Sequence, residues 1–231
     1  MNELLKWILC VAAAYLFGSI PMAYLIVKWR YGKDLRQYGS GSAGGSNVYR
    51  SFSKKLGIAI TFFDIFKGVI VIGAAWLLKL DTAHQVVMGL AVIIGHNWPV
   101  FLHFNAGRGV ATSIGVGLCL LPQGLPGFVV LALLTIIIRS SPLPVLAAFL
   151  SLPVASLVLG KPPVLTVGLL VLFLILVARR LTAPRAERSR QIGLRQLLLN
   201  RFLFDRDIRD AGAWVHYKPA AKAENNKMGS K

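Results

Sequence analysis

Long apolar runs separated by short polar breaks recur along this chain as far as about residue 178, and they leave few folds open to it. A bilayer's hydrocarbon core is about 30 Å thick and takes roughly 20 residues of helix to cross. The runs cover about residues 4–27, 56–78 and 85–102, a short fourth stretch reaching Leu121, then 125–138, 143–159 and a seventh ending near Ala178. The expectation is an all-α integral membrane protein of about seven transmembrane helices. Several runs are short, so six or eight segments can also be drawn. Pro21 falls inside the first run, where it removes a backbone donor and sets up a kink beside the small residues Gly18 and Ser19.

Charge supports the same class. Of 231 residues 55% are apolar and 15% charged, with mean hydropathy +0.63 and formal net charge +17. Nucleic-acid binders and membrane proteins with positive cytoplasmic loops both run basic. The repeated apolar runs select the second, and no nucleic-acid partner is expected. With the N-terminus outside, the inner segments are 28–55, the turns at Arg108 and Arg139, and the tail. The first holds Lys28, Arg30, Lys33, Arg36, Arg50, Lys54 and Lys55, and the tail from Arg179 holds nine arginines and four lysines. The outer links hold Lys79 and Lys161. This asymmetry obeys the positive-inside rule.

The chain accordingly divides into a membrane domain over 1–181 and a basic cytoplasmic tail over 182–231. Residues 179–209, with Leu194, Leu197, Leu198, Phe202 and Phe204 interleaved, read as a basic amphipathic helix on an anionic leaflet. The last residues, from about 220, read as disordered. Cys10 and Cys119 lie in apolar runs and read as inert buried thiols. The first run has no convincing small-residue cleavage site and reads as a membrane helix, not a removable signal.

Between the first two runs lies Asp34-Leu35-Arg36-Gln37-Tyr38-Gly39-Ser40-Gly41-Ser42-Ala43-Gly44-Gly45-Ser46-Asn47-Val48-Tyr49-Arg50. Glycines let backbone approach a ligand, and successive N–H groups in such a turn form an anion-binding nest. Ser40, Ser42, Ser46 and Asn47 add hydrogen-bonding groups, and Arg36 and Arg50 add charge. The loop reads as a phosphate cradle at a membrane surface. The alternative, a plain flexible connector, gives the paired arginines and the Ser-Asn step no role. A second polar turn, His103-Phe104-Asn105-Ala106-Gly107-Arg108-Gly109-Val110-Ala111-Thr112, repeats the chemistry with one cation and one hydroxyl. Both turns fall on the same membrane face, which points to two phosphates or to one phosphate and a carboxylate.

Asp64 and Lys67 stand at i, i+3 on one helical run. They are either an ion pair that holds helices together or part of a polar site, since intramembrane charges face a bundle interior or a wet cavity. His96 is read as a packing histidine or as a general base. There is no metal-ligand spacing, Walker-type loop or serine elbow. The chemistry open to such a chain is transfer of an already activated group, with the protein supplying position and charge neutralisation.

Gly18-Ser19-Ile20-Pro21, Asp34-Leu35-Arg36 with Gly39-Ser40-Gly41 through Arg50, Asp64 with Lys67-Gly68, and Gly95-His96 with Pro99 and Gly107-Arg108-Gly109-Val110-Ala111-Thr112 occur in order. Over about residues 15–112 the chain resembles the bacterial acyl-phosphate-dependent glycerol-3-phosphate acyltransferases. The resemblance implies a seven-span enzyme of the bacterial inner membrane with its active site facing the cytoplasm. It would move a fatty acyl group from acyl phosphate to the sn-1 hydroxyl of glycerol 3-phosphate, an early step of phospholipid synthesis, without a cofactor. Its partners would be those two substrates and membrane lipids. Ser40, Arg50 and Arg108 would be catalytic. Gly41, Ser42, Gly44, Gly45, Ser46, Asn47, Asp64, Lys67, His96, Gly107, Gly109 and Thr112 would bind substrate.

The chain departs from the family pattern at several positions. Ser42 stands where the family has Asn, Ser46 where it has Thr, and Ala106-Gly107-Arg108-Gly109 where it has Gly-Gly-Lys-Gly. After the last run, Arg179-Arg180-Leu181-Thr182-Ala183-Pro184 replaces a motif that carries His and Asn in the family. A small-anion transporter with glycine-broken helices and a catalytically silent lipid-precursor-binding relative remain alternatives.

Overall fold

The computed structural model describes residues 2–138, 142–184, 186, 189–215 and 217. Among these residues the regular structure is entirely helical. The helices are α1 (Glu3–Gly18), α2 (Met22–Tyr31), α3 (Gly45–Ser51), α4 (Lys54–Leu77), α5 (Thr82–Asn97), α6 (Val110–Leu120), α7 (Leu125–Ile138), α8 (Pro142–Val158), α9 (Pro163–Leu181), α10 (Leu194–Phe204) and α11 (Ala211–Val215). The turn at 139–141 and the end of the chain from 220, read above as a basic turn and a disordered terminus, lie outside the described residues.

The apolar runs are helical, the first of them as two helices, α1 and α2, and not one. Among the described residues, four segments are long and apolar enough to cross a membrane: Glu3–Tyr31, Lys54–Leu77, Thr82–Leu102 and Pro163–Leu181. The helices α6, α7 and α8 have 11, 14 and 17 residues. Phe62, Phe66 and Ile70 on α4 and Val167, Leu170 and Leu174 on α9 are exposed, while the opposite faces are buried. That inversion suits a surface bathed in lipid.

The kink expected at Pro21 is a full break between α1 and α2. Pro21 has no N–H to donate, so carbonyls of the preceding turn lose helical partners. The ammonium of Lys67 supplies them, donating to the Ile20 carbonyl at 2.6 Å and the Gly18 carbonyl at 3.4 Å. Small residues set the helix contacts around this break. A side chain at Gly68 would lie 2.5 Å from the Thr112 carbonyl, so α4 and α6 meet backbone to backbone.

Among the described residues two apolar cores result. The larger lies within the helical bundle and includes Ile72, Val92, Val116, Phe149 and Leu169. The smaller one lies beneath the two polar turns and joins Val27, Leu35, Ala43, Val48, Ile60, Leu102 and Ala106. This second core fixes one turn against the other. The stretch 179–209 is not one helix: α9 takes its first residues, and α10 begins at Leu194. Leu194, Leu199 and Phe202 of α10 are exposed, while Leu197 and Arg201 are buried.

Candidate active site

The first glycine loop is folded from within by Asn47. Its amide donates to the carbonyls of Tyr38 at 2.9 Å, Ser42 at 3.0 Å and Leu35 at 3.4 Å. Its side-chain oxygen accepts from the Ser40 N–H at 3.1 Å and the Ser51 hydroxyl at 3.2 Å. Asn47 is wholly buried, so it bears on a ligand through the shape it gives the loop. Gly39 and Gly41 take φ of 53° and 72°, left-handed values that favour glycine and let the chain double back. Ser40, Gly41, Ser42 and Gly44 are half-buried along the turn. Arg36 is tied to Asp34 by two side-chain bonds of 3.0 and 2.7 Å. Hydrogen bonding from Arg36 holds the Asp34 carboxyl below the usual carboxylate range, against the upward pull of burial.

The loop runs into α3, which lies tightly on α4 because Gly45 and Gly57 carry no side chains at their crossing. Here Ser46 and Arg50 open onto a groove of about 340 Å³ that continues over Ile58, Thr61, Phe62 and Ile65. The Arg50 guanidinium reaches the Ser46 hydroxyl at 3.4 Å. The groove is therefore polar and cationic at one end and apolar along its length.

The second turn is laid over the end of α5. Gly107 sits directly on the His96 ring, and Gly109 on the Asn97 side chain; a Cβ at either would collide. Arg179 of α9 pins the turn from above, donating to the Gly107 carbonyl at 2.9 Å, the Ala106 carbonyl at 3.1 Å and the Asn105 side chain at 3.1 Å. It also lies 5.7 Å from the Trp98 ring centre. Below the turn, Asp64 is 3.3 Å from the Lys67 ammonium and 3.6 Å from His96 Nδ1. All three are buried. Asp64, Lys67 and His96 thus form one polar interior linking the helix break to the second turn. The side chains of Asn97, Thr112 and Ser113 are fully buried there without a hydrogen-bond partner among the described residues.

Arg108 points into a cluster of charge contributed by the tail. It forms an ion pair with Asp205 and donates to the Asp205 carbonyl at 2.6 Å. Burial first, then Arg180 and Arg179, push the Arg108 guanidinium well below the ordinary arginine range. Arg201 pairs with Asp207 at 2.7 Å, and Asp207 also accepts from the Ser189 hydroxyl and the Ala186 N–H. The tail reaches the first loop as well, where Gly39 N–H donates to the Tyr217 carbonyl at 2.8 Å. Both turns and the tail therefore share one end of the molecule.

Comparison with known proteins gives this arrangement a family. The profile described as glycerol-3-phosphate acyltransferase matches residues 8–186. Glycerol-3-phosphate acyltransferase 4 of Dehalococcoides mccartyi (strain CBDB1) is 42% identical over 94% of this chain and 97% of its own length. The chain belongs to the glycerol-3-phosphate acyltransferase family. The corresponding protein 5 of a second strain of that species (ATCC BAA-2266 / KCTC 15142 / 195) is 39% identical over 96% of this chain and 97% of its own length. The crystal structure of PlsY (YgiH), an integral membrane glycerol 3-phosphate acyltransferase in its glycerol 3-phosphate form, superimposes with a TM-score of 0.71. It is 33% identical and covers 76% of this chain and 88% of that one.

In this acyltransferase family member, the groups that act from a distance leave little local signal in the sequence. Arg179 lies 72 residues from the carbonyl it grips, and Asp205 lies 97 from Arg108. The density of arginine from Arg179 onward and the departure from the family motif over 179–184 mark the region in the sequence. Asn97 and Ser113 had a visible signal, being polar residues in apolar helices next to His96 and Thr112.

Proposed function

We propose that the protein transfers a fatty acyl group from acyl phosphate to the sn-1 hydroxyl of glycerol 3-phosphate, giving lysophosphatidic acid and inorganic phosphate. The observation that carries this reading is kinship along almost the whole chain with a protein named a glycerol-3-phosphate acyltransferase. The groove fits an amphiphilic donor: Ile58, Phe62 and Ile65 line a path for the acyl chain, and Ser46 and Arg50 stand at its polar mouth. The loop from Ser40 to Asn47 holds the donor's phosphate, and Arg50 and Arg108 neutralise phosphate charge on donor and acceptor.

The glycerol hydroxyl oxygen attacks the acyl carbon, the bond from that carbon to the phosphate oxygen breaks, and the phosphate leaves with the electron pair. A mixed anhydride is already activated, so the departing phosphate itself takes the hydroxyl's proton. The protein's share is position and charge. Asp64, Lys67 and His96 support the second turn from beneath and keep Arg108 in place.

The setting is the bacterial inner membrane, with the site and the tail at the cytoplasmic face. The cationic segments gathered at this end support that orientation. Residues 1–181 form the membrane domain. In the tail, Leu194, Leu199 and Phe202 rest in the leaflet while nearby arginines meet anionic headgroups. The test is acyl transfer by purified protein given palmitoyl phosphate and glycerol 3-phosphate, with palmitoyl-CoA in a parallel arm. Lysophosphatidic acid from the first arm alone is expected. No product from folded protein in either arm would reject the reading.

A further inference from the structure

The site reached by Arg108 already holds an anion. α10 ends at Phe204, and Asp205 follows it with φ 56° and ψ 36°, a left-handed conformation uncommon for a residue with a side chain. That conformation turns both the carboxylate and the carbonyl of Asp205 onto Arg108. The same carboxylate oxygen lies 3.3 Å from Nε of Arg180.

Arg180 is fixed in turn by the carbonyls of Phe202 and Pro142, each at 3.1 Å, so it cannot follow a departing partner far. Arg108, Arg179, Arg180 and Arg201 gather here, and among the described residues Asp205 and Asp207 are the acids that face them. Asp207 is engaged by Arg201, Ser189 and the Ala186 N–H, whereas the Asp205 carboxylate is in direct contact with Arg108.

We propose that Asp205 is a built-in stand-in for the phosphate of glycerol 3-phosphate: its carboxylate holds Arg108 and Arg180 until the substrate's phosphate displaces it, and it thereby sets the affinity for that substrate. The proposal rests on the reading of Arg108 as a grip for glycerol 3-phosphate. A carboxylate and a phosphate offer arginine the same kind of oxygen acceptor. The phosphate carries nearly twice the charge, and the cluster has an excess of cations. A phosphate monoester therefore wins the exchange where a carboxylate or a neutral polyol does not, so Asp205 also acts as a filter for dianions. Asp205 is attached through residues 206–210 to α11 and Tyr217, which touches the first loop, so its displacement also moves the cover over that loop.

The apparent affinity of a site open only part of the time falls in proportion to the open fraction. A latch closed for about nine-tenths of the time weakens binding about tenfold. With palmitoyl phosphate saturating, Asp205→Asn and Asp205→Ala are expected to lower the KM for glycerol 3-phosphate by roughly threefold to tenfold. The turnover number should stay within about twofold, and Asp205→Asn preserves shape where Asp205→Ala fails to fold. A KM unchanged or raised in both variants overturns the latch.

Arg108→Ala separates the two ideas. If it raises KM while the Asp205 variants do not lower it, the latch fails and the reading of the site stands. If it leaves KM unchanged, both fail. Titration calorimetry with inorganic phosphate on wild-type and Asp205→Asn protein needs no turnover. Tighter binding to the variant supports the latch, and equal or weaker binding overturns it.

Discussion

Lys67 carries its charge deep in the bundle and uses it on backbone. Its ammonium serves the carbonyls left open by the break at Pro21 and balances Asp64. Removing one member of a buried pair leaves the other charge uncompensated and costs about 3–5 kcal/mol. Lys67→Met is therefore expected to lower the thermal midpoint in detergent sharply. Adding Asp64→Asn should recover part of the loss, and a double variant worse than the single one would refute this account. Asn47 has a similar place in the loop. Asn47→Ala leaves five hydrogen bonds unmade, with each stranded buried group costing about 1–3 kcal/mol. Acyl transfer should fall at least about tenfold while helical circular dichroism stays unchanged.

Gly107 gives a sharper case, because the obstacle is a single ring. Gly107→Ala places a methyl group into His96, so either the ring or the turn must shift. The expected result is a large loss of acyl transfer, restored in part by His96→Ala in the same chain. If the double variant is as poor as the single one, the turn needs glycine for a reason other than His96.

The helices themselves were legible, since a run of apolar residues has one stable form in lipid. Their limits came out within a few residues: Lys54–Leu77 against 56–78, and Leu125–Ile138 against 125–138. The glycine turns were also legible, because Gly39 and Gly41 mark left-handed backbone locally. The direction of each polar side chain was not. The Asn47 side chain bonds within its own loop. Its near partners Ser42 and Ser51 do not by themselves specify that, because the carbonyls of Leu35 and Tyr38 lie 12 and 9 residues away.

The tail shows the same limit. Asp205 and Asp207 are two acids in a basic stretch, and composition alone gave them no role. In the fold Asp207 locks the tail. Burial pushes its carboxyl up, but Arg201, the Ala186 N–H and the Ser189 hydroxyl together hold it below the ordinary carboxylate value. A carboxyl depressed in the folded state contributes stability that is present above its unfolded value, near 4, and is lost as pH falls through the folded one. Acidification below about pH 4 should therefore release the tail. Fluorescence of the buried Trp214 would report it, and Asp207→Asn should remove the acid transition.

Across the whole molecule, the groove between α3 and α4 divides the work between lipid and water. Its mouth at Ser46 and Arg50 faces the loops, and its floor of Ile58, Phe62 and Ile65 lies along a helix whose neighbours are lipid-exposed. Thr61→Trp adds bulk to the floor. It should reduce kcat/KM for palmitoyl phosphate several-fold more than for octanoyl phosphate, since each excluded methylene forfeits about 0.8 kcal/mol of burial. Equal losses for both donors would place the acyl chain elsewhere.

The contact between Gly39 N–H and the Tyr217 carbonyl joins positions 178 residues apart. A ribosome adding about 5–20 residues per second needs roughly 10 to 35 seconds to make that interval. The helices can enter the bilayer in turn during this time, but the rim of the site is assembled only when the last segment arrives. Insertion and competence are thus separate events in the life of one chain. A nascent copy arrested before Tyr217 should sit correctly in the membrane with its first loop still open to protease.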